Sequence, residues 1–205
     1  MAQSLAHIGA TAGPLRLLGY LNDRAPVGSE ICGAPVVATF DDWREQPADV
    51  LFIAALHKVK HMQGNAARIL GLGIPESRWA SVVDPRTAIS EHARIAPGVF
   101  VGPFTTLGAN ATVGSHVAVR AGSNVSHDTQ LGNFVFVGTG AIVCGNTRVE
   151  EGAHIAPRAV IQDGLCVGRY SVVGLGAVVL RDVPDYAIVA GNPARVIGEV
   201  GRVST

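Results

Sequence analysis

The sequence has no excess of charge of either sign, since its 16 Lys and Arg are matched by 16 Asp and Glu. A chain without surplus positive charge lacks the basic face that attracts phosphate backbones or anionic lipids. No apolar run approaches the roughly 18 residues of a membrane span, and the opening MAQSLAHIGATAG has no basic segment followed by an apolar one. We therefore expect no nucleic-acid partner and no membrane partner.

Cysteine is also scarce, with Cys32, Cys144 and Cys166 far apart in the chain. An odd number without close pairing does not make a disulfide framework, so a reducing, cytoplasmic location is expected. Neither Cys144 nor Cys166 has a histidine at an obvious activating position. We expect both to be small buried or half-buried residues rather than nucleophiles.

What the sequence does contain is a six-residue repeat. An aliphatic residue falls at every sixth position from Ile89 to Val179 without a break. Each hexad predicts one short strand and one corner, and three hexads close a triangular coil of 18 residues whose aliphatic side chains stack about 4.8 Å apart inside. Gly, Asn or Asp is common three places after the aliphatic residue, as left-handed turns require. The repeat predicts a mainly β solenoid.

The region before the repeat alternates predicted strands and helices, which favours a small α/β unit with a parallel sheet. Thr39 is the expected N-cap of the first helix and Gly71 the expected C-cap of the second. The predicted strands are 15–21, 35–38, 50–55 and 79–83, and the predicted helices begin near 41 and span 58–70. The expected domains are 1–82 (α/β, acceptor-binding), 83–186 (β-helix, acyltransferase) and 187–205 (C-terminal cap).

Three segments together resemble one branch of the hexapeptide-repeat acyltransferases, the sialic acid O-acetyltransferases and nucleotide-linked amino-sugar N-acetyltransferases. They are GYLNDRAPVG with ICGAPVV, SHDTQLGNFVFVGTGAIVCGNTRV, and VAGNPARVIG. The resemblance implies a left-handed β-helix after a short Rossmann-like domain that helps to bind a nucleotide sugar. It also implies a homotrimer with acetyl-CoA in the groove between neighbouring β-helices.

The sequence departs from that branch at two places. IGATAG is a poor substitute for the Gly-rich loop that holds the nucleotide's phosphates, and Leu56 stands where relatives often have glycine. Either the acceptor differs, or His57, Lys58, Lys60 and His61 supply phosphate contacts; alternatively, those four residues are only the solvated start of a helix. With Asn22 and Asp23 of GYLNDRAPVG, His57 and Lys58 are the candidate acceptor-binding residues.

His127 matches the family's catalytic histidine. Gly145 stands one 18-residue coil further on, where the absence of a side chain leaves room for a thioester near a backbone N–H. Neutral His127 is the expected general base, and the backbone near Gly145 the expected oxyanion donor. Asp128 either assists the imidazole or is present only because its hexad position favours Asp for the turn.

The resemblance places acetyl-CoA along the solenoid, with most contacts made by backbone or apolar atoms. The expected contacts are Phe136, Gly145, Pro157, Leu175, Gly176, Asn192 and Pro193, with Ala194 close by. No metal is expected, because the solenoid histidines closest in sequence, His116 and His127, fall on different sides of the triangle.

The expected function is transfer of an acetyl group from acetyl-CoA to a sugar, foremost to the amine of a nucleotide-linked amino sugar. A sugar hydroxyl, a non-nucleotide acceptor or another acyl group remains an alternative. A non-catalytic structural subunit is the alternative outside the enzymes. The proposed base at His127 argues against that last possibility.

Overall fold

The structure is a computed structural model that describes residues 15–201. Its N-terminal part contains three short strands, β1 (Tyr20–Leu21), β2 (Glu30–Ile31) and β3 (Ala34–Ala38), and one α-helix, α1 (Met62–Gly71). Short 3-10 helices cover Asp41–Glu45, Val59–His61 and Glu76–Arg78. The segment IGATAG, assessed above as a phosphate loop, lies outside the described residues.

The rest of the described chain is a solenoid of two-residue strands that ends in a longer hairpin. The strands are β4 (Val82–Val83), β5 (Ala88–Ile89), β6 (Arg94–Ile95), β7 (Phe100–Val101), β8 (Thr106–Leu107), β9 (Thr112–Val113), β10 (Ala118–Val119), β11 (Asn124–Val125), β12 (Gln130–Leu131), β13 (Phe136–Val137), β14 (Ile142–Val143), β15 (Arg148–Val149), β16 (His154–Ile155), β17 (Val160–Ile161), β18 (Cys166–Val167), β19 (Val172–Val173), β20 (Val178–Val179), β21 (Ala187–Gly191) and β22 (Ala194–Glu199). This mainly β architecture confirms the predicted β-helix preceded by a short N-terminal domain.

The strands form the three faces of a prism. Face A runs β4-β7-β10-β13-β16-β19-β21-β22, face B runs β5-β8-β11-β14-β17-β20, and face C runs β6-β9-β12-β15-β18. Strands of successive coils pair in parallel with partners 18 residues apart, as Val125 pairs with Val143. The 18-residue coil predicted from the repeat is therefore confirmed. We name each corner by the faces it joins, so that the B–C corner follows a face B strand.

The inside of the prism is one continuous apolar column. The repeated aliphatic residues from Val101 to Val179 are all buried, and Val125, Val143 and Ile161 have no exposed surface. Small residues four places after them complete the column, and where these carry a hydroxyl it bonds to the backbone; Ser123 Oγ donates to the carbonyl of Gly138 at 2.8 Å. Burial of apolar area on this scale is what holds strands of only two residues in place.

The corners turn through left-handed backbone at the position three places after the aliphatic residue. Gly, Asn and Asp were expected there, and Asn110, Asp128 and Asn146 indeed have φ between 54° and 57°. Bulky residues also occupy it, among them Phe134 and Tyr170 with φ of 60° and 50°. Thus the coil geometry imposes this conformation at corners whose residue does not itself favour it.

Several details of the N-terminal prediction were wrong. The sheet is mixed, because β3 pairs in parallel with β1 and antiparallel with β2. The strand predicted at 15–21 is confined to Tyr20–Leu21, and only an isolated bridge from Phe52 to Trp79 represents the strand predicted at 50–55. Leu15, Leu18 and Leu51 in these segments are exposed, so their apolar side chains are not held in a sheet.

The predicted helix caps were also misplaced. Phe40 is the N-cap of the first 3-10 helix, while the Thr39 hydroxyl bonds instead to the carboxylate of Asp42. Leu72 is the C-cap of α1, and the left-handed residue beyond it is Gly73 rather than Gly71. The helix itself lies where it was predicted, starting with the 3-10 turn Val59–His61.

The N-terminal part packs on face A of the prism. Val82, Phe100 and Ala118 form a second buried cluster against which Ile53 and Ala80 pack. Beside it Trp79 meets the ring of His116 edge-on with centroids 4.5 Å apart. Faces B and C and the B–C corner lie on the other sides of the prism. The domain boundaries stay a prediction. The boundary predicted between residues 82 and 83 falls inside β4, the first strand of the solenoid.

Candidate active site at one corner of the prism

Six residues follow each other along the B–C corner at 18-residue steps, each two places after the aliphatic residue of a face B strand. They are Glu91, Ala109, His127, Gly145, Asp163 and Arg181. The residues beside them, Asn110, Asp128 and Asn146, have the left-handed backbone of the turn. Side chains from successive coils are therefore stacked about 4.8 Å apart along one edge of the prism.

His127 and Asp128 form the pair expected of a base and its partner. Nδ1 of His127 lies 2.9 Å from Oδ2 of Asp128, and both side chains are about half exposed, at 58% and 47%. When Asp128 accepts a hydrogen bond from Nδ1–H, the lone pair of the neutral imidazole is at Nε2, where a general base needs it. The geometry thus gives Asp128 an orienting contact in addition to its turn conformation.

Asn110 holds the other oxygen of Asp128. Its Nδ2 donates to Oδ1 of Asp128 at 3.0 Å, from one coil away. The amide of Asn110, and after it the hydrogen bond with His127, lowers the pKa of the Asp128 carboxyl below its usual value. Asp128 is therefore ionised and held at both oxygens. Asn110 was not among the predicted site residues, although its 18-residue distance from Asp128 could have indicated it.

The imidazole of His127 lies directly against Gly145. A Cβ placed on Gly145 would be 2.6 Å from both Cε1 and Nε2 of His127 and 2.8 Å from Oδ1 of Asp163. Only glycine leaves room there for the ring. Part of the space that was expected to take a thioester is accordingly filled by the histidine itself.

The backbone N–H of Gly145 has no hydrogen-bond acceptor within residues 15–201, whereas its carbonyl accepts from Gly164 N at 2.9 Å. The neighbouring N–H groups of Cys144 and Asn146 are both used, by Ile161 O and His127 O. A free donor therefore lies beside the base, as an oxyanion-binding role for Gly145 requires.

Apart from Gly145, the residues predicted to contact acetyl-CoA lie elsewhere on the solenoid. Pro157, Leu175 and Gly176 follow face A strands and occupy the A–B corner, where Leu175 is 75% exposed. Phe136 is on β13 of face A, and Asn192 and Pro193 form the exposed turn between β21 and β22. Within one chain, then, the A–B corner and the B–C corner are separated by the width of face B.

Two of the predicted acceptor-binding residues make local contacts after β1. Asn22 Oδ1 accepts from the backbone N–H groups of Arg24 and Ala25 at 2.8 and 3.0 Å. Asp23 accepts from Phe40 N at 2.8 Å and pairs with Arg68 at 3.2 Å. Both side chains thus stabilise the loop that follows β1.

The other two predicted acceptor-binding residues precede α1. The His57 ring lies 5.8 Å from that of Phe136, and Phe136 stacks on His154 with centroids 4.5 Å apart. Burial lowers the pKa of His57 and of His154 to about 4, so both are neutral at physiological pH. Lys58 is exposed. His57 therefore belongs to the contact between α1 and face A. Because its ring is neutral, it offers no positive charge to a phosphate.

A second group of charged side chains, including Glu150, Glu151 and Arg169, lines a separate groove on face C. Cys32 is exposed, Cys144 and Cys166 are partly buried, and all three are free thiols. Burial raises the pKa of Cys144 and Cys166 above the ordinary thiol value. Between residues 15 and 201, no three His, Cys, Asp or Glu side chains converge as a metal site would require, and no helix in that range is long and apolar enough to span a membrane.

Comparison with known proteins gives consistent likenesses. The chain is 34% identical over 121 residues to GDP-perosamine N-acetyltransferase of Escherichia coli O157:H7, covering 56% of this chain and 54% of that protein. It is 52% identical over 56 residues to dTDP-3-amino-3,6-dideoxy-alpha-D-galactopyranose 3-N-acetyltransferase of Aneurinibacillus thermoaerophilus, covering 27% of this chain and 29% of that protein. The chain thus spans about half or less of the length of these curated relatives. No protein-family model matches it.

Among solved structures, the fold is similar to the acetyltransferase domain of PglB from Neisseria gonorrhoeae FA1090 in complex with acetyl coenzyme A. The TM-score is 0.83 at 26% identity, covering 95% of this chain and 93% of that one. The predicted resemblance is confirmed: the chain is a hexapeptide-repeat β-helix of the kind found in acyltransferases. Within that class it resembles the sugar N-acetyltransferases.

Proposed function

We propose that this protein transfers an acetyl group from acetyl-CoA directly to the amine of a nucleotide-linked amino sugar, with His127 as general base. The observation that carries the proposal is the arrangement of His127 between Asp128 and Gly145. Asp128 fixes the imidazole through Nδ1 at 2.9 Å, and Nε2 is presented beside the unbonded N–H of Gly145. The likeness to N-acetyltransferases of two different nucleotide sugars supports the acceptor class.

In the proposed reaction the acceptor amine donates a proton to Nε2 of His127 while its lone pair attacks the thioester carbon. The carbonyl oxygen becomes an oxyanion, which accepts a hydrogen bond from Gly145 N–H. Collapse of this intermediate breaks the carbon–sulfur bond, and the proton held by His127 passes to the leaving thiolate. Asp128 stabilises the imidazolium formed between the two steps.

We further propose a homotrimer whose active sites lie between copies. Face B presents apolar side chains outward, including Ile142, which is 40% exposed, and Leu180, which is 48% exposed. Packing three prisms with face B toward a common axis places the B–C corner of one copy beside the A–B corner of the next. The base at His127 would then face the predicted acetyl-CoA contacts at Leu175 and Gly176 of the partner copy, which a single chain holds apart.

The test is release of CoA thiol from acetyl-CoA with GDP-perosamine, with the dTDP-3-amino sugar, and with free sialic acid as a hydroxyl acceptor. We expect turnover of a nucleotide amino sugar, and a loss of at least 100-fold in kcat for His127→Ala, as removal of a general base produces. His92→Ala removes another exposed histidine on the B–C corner and serves as the matched control.

The other outcomes separate the alternatives. Turnover of sialic acid alone would replace the amine with a hydroxyl acceptor. Acetyl-CoA binding without turnover of any of the three would point to a different acceptor. Absence of acetyl-CoA binding at micromolar concentration would favour a structural subunit and overturn the proposal.

A further inference from the structure

A second carboxylate faces the base across Gly145. His127 Nε2 and Asp163 Oδ1 lie 2.6 and 2.8 Å from the same point, the position that a Cβ of Gly145 would occupy, so the two atoms are at most about 5.4 Å apart. The other oxygen of Asp163 is held from one coil below by Asn146 Nδ2, at 3.5 Å. Asp163 is exposed and its Oδ1 is turned toward the base. The proposed mechanism assigns it no part.

Nε2 of His127 and Oδ1 of Asp163 are both hydrogen-bond acceptors. In the neutral tautomer that donates through Nδ1 to Asp128, Nε2 carries only a lone pair. A carboxylate oxygen has no proton to give at neutral pH. Any group bound between the two atoms must therefore donate to both of them.

A single donor atom bound outside the Cβ position, away from Gly145 Cα, can bridge the two acceptors. Ordinary N–H hydrogen bonds have donor–acceptor distances of about 2.7–3.2 Å, so one nitrogen can reach two acceptors that are no more than about 5.4 Å apart. A primary amine has two N–H groups and an ammonium has three, whereas a hydroxyl has one. A hydroxyl bound in this position can donate to only one of the two acceptors, so it forms one hydrogen bond fewer than an amine does.

We propose that Asp163 is the residue that selects an amine over a hydroxyl as acceptor. This inference rests on the proposed function, and adds that one N–H of the acceptor is bound by Asp163 while a second is aligned with Nε2 of His127. His127 takes that second proton as the nitrogen lone pair forms the amide bond and the carbon–sulfur bond of the thioester breaks. Asp163 keeps its contact to the remaining N–H and neither gains nor loses a proton.

The neighbouring groups are compatible with this role. The titratable side chains that meet Asp163 are His127, across Gly145, and the Cys144 thiol. Burial first, and then the Asp163 charge, raises the pKa of Cys144, so the thiol stays neutral and does not compete with the amine for the thioester. Arg181, one coil beyond Asp163 on the same edge, is exposed and is not among its hydrogen-bond partners.

The test compares two ligands that differ in one group: the nucleotide amino sugar that the enzyme turns over, and the same nucleotide sugar with hydroxyl in place of the amine. Dissociation constants for both are measured with CoA present, and kcat/KM for the amine, on wild type, Asp163→Ala and Asp163→Asn. Glu91→Gln removes a carboxylate from the same corner two coils on the other side of His127, and is the matched control.

For Asp163→Ala we expect kcat/KM for the amine to fall by about 10- to 100-fold, the loss of a charge-assisted hydrogen bond. The dissociation constant of the hydroxyl ligand should change less than threefold or improve. Asp163→Asn keeps a neutral acceptor and should lie between, and Glu91→Gln should match wild type. Acetyl-CoA affinity, unchanged in all variants, would show that the fold is intact.

The inference is overturned if Asp163→Ala acetylates the amine as wild type does, or if affinity for the two ligands falls equally; the proposed function would survive either result. Wild-type turnover of the hydroxyl ligand in preference to the amine would also overturn it. Absence of turnover of every nucleotide amino sugar would instead defeat the proposed function, and this inference with it.

Discussion

Asn110 Nδ2 donates a 3.0 Å hydrogen bond to Oδ1 of Asp128, the carboxylate whose other oxygen meets His127 Nδ1 at 2.9 Å. Three polar side chains from two successive coils thus form one chain of hydrogen bonds that ends at the base. Since both Asn110 and Asp128 have left-handed backbone, with φ of 57° and 55°, the turns of the solenoid themselves aim these side chains.

Removing the amide of Asn110 should lower the activity of the enzyme without disturbing the fold. Asn110→Gly deletes the donor and keeps a residue suited to positive φ. We expect kcat/KM to fall about 3- to 10-fold, the size of an ordinary hydrogen bond, because this contact is exposed. Because Asn110 lowers the pKa of Asp128, the acid limb of the pH–rate profile should move to higher pH. The variant Asn110→Asp, which places a like charge beside Asp128, should lose more activity; equal profiles for Asn110→Gly and wild type would show that the contact is incidental.

A methyl group at Gly145 should displace the base. In Gly145→Ala the new Cβ would lie 2.6 Å from the His127 ring and 2.8 Å from Asp163, so these side chains must move outward. We expect kcat to fall by roughly 100-fold or more, because small displacements of catalytic groups have effects of that order. Both displaced side chains are exposed, so thermal unfolding should change little. Retention of near wild-type kcat would contradict the assigned position of the base.

Stability should decline as the pH falls through the range in which the unfolded chain's histidines become charged. The pKa of His154 is about 4 in the folded protein because the ring is buried against Phe136, and an unfolded histidine titrates near 6.5. Between these values the unfolded state binds more protons, so the free energy of unfolding decreases from about pH 6.5 toward pH 4 and is fully retained above pH 6.5. His57, with the same lowered value, acts in the same direction.

His154→Phe keeps the stacking contact and removes the titration. Between pH 7.5 and pH 5, we expect its free energy of unfolding to decrease by about 1–2 kcal/mol less than that of wild type. Urea denaturation at each pH measures this. His92→Ala, at an exposed histidine, should leave the slope as in wild type. An unchanged slope in His154→Phe would show that the ring is solvated in solution.

Gly64 is a place where the fold can be made more stable. It lies inside α1, is exposed, and a Cβ there would meet nothing within 4 Å. Gly64→Ala should raise the free energy of unfolding by about 0.5–1 kcal/mol, because alanine loses less backbone entropy in a helix. Chemical denaturation measures this, with kcat expected unchanged. A decrease in stability would indicate that the residue needs the freedom of glycine.

The solenoid was predictable because its information is local and repeated. Each aliphatic residue from Val101 to Val179 meets its own counterpart 18 residues away, so the period in the sequence is the register in the structure. The N-terminal unit has no such repeat. Its segment 50–55 is a continuous apolar run typical of a strand, but it contributes only the bridge from Phe52 to Trp79, and Leu51 within it is exposed. Propensity alone does not decide which partner an apolar segment finds.

At the site, the repeat alone related His127 to Gly145, because residues 18 apart must be stacked. It also contained Asn110 and Asp163 at the same spacing, but a spacing does not show which way a side chain points. Only the turn conformation, which brings Asn110 to Asp128 and aims Asp163 Oδ1 across Gly145, decided that these residues contact the catalytic group. The sequence by itself thus determined the prism, its period and the residues on each edge. The tertiary structure determined the contacts between them, because hydrogen bonds depend on side-chain directions and distances that periodicity does not encode.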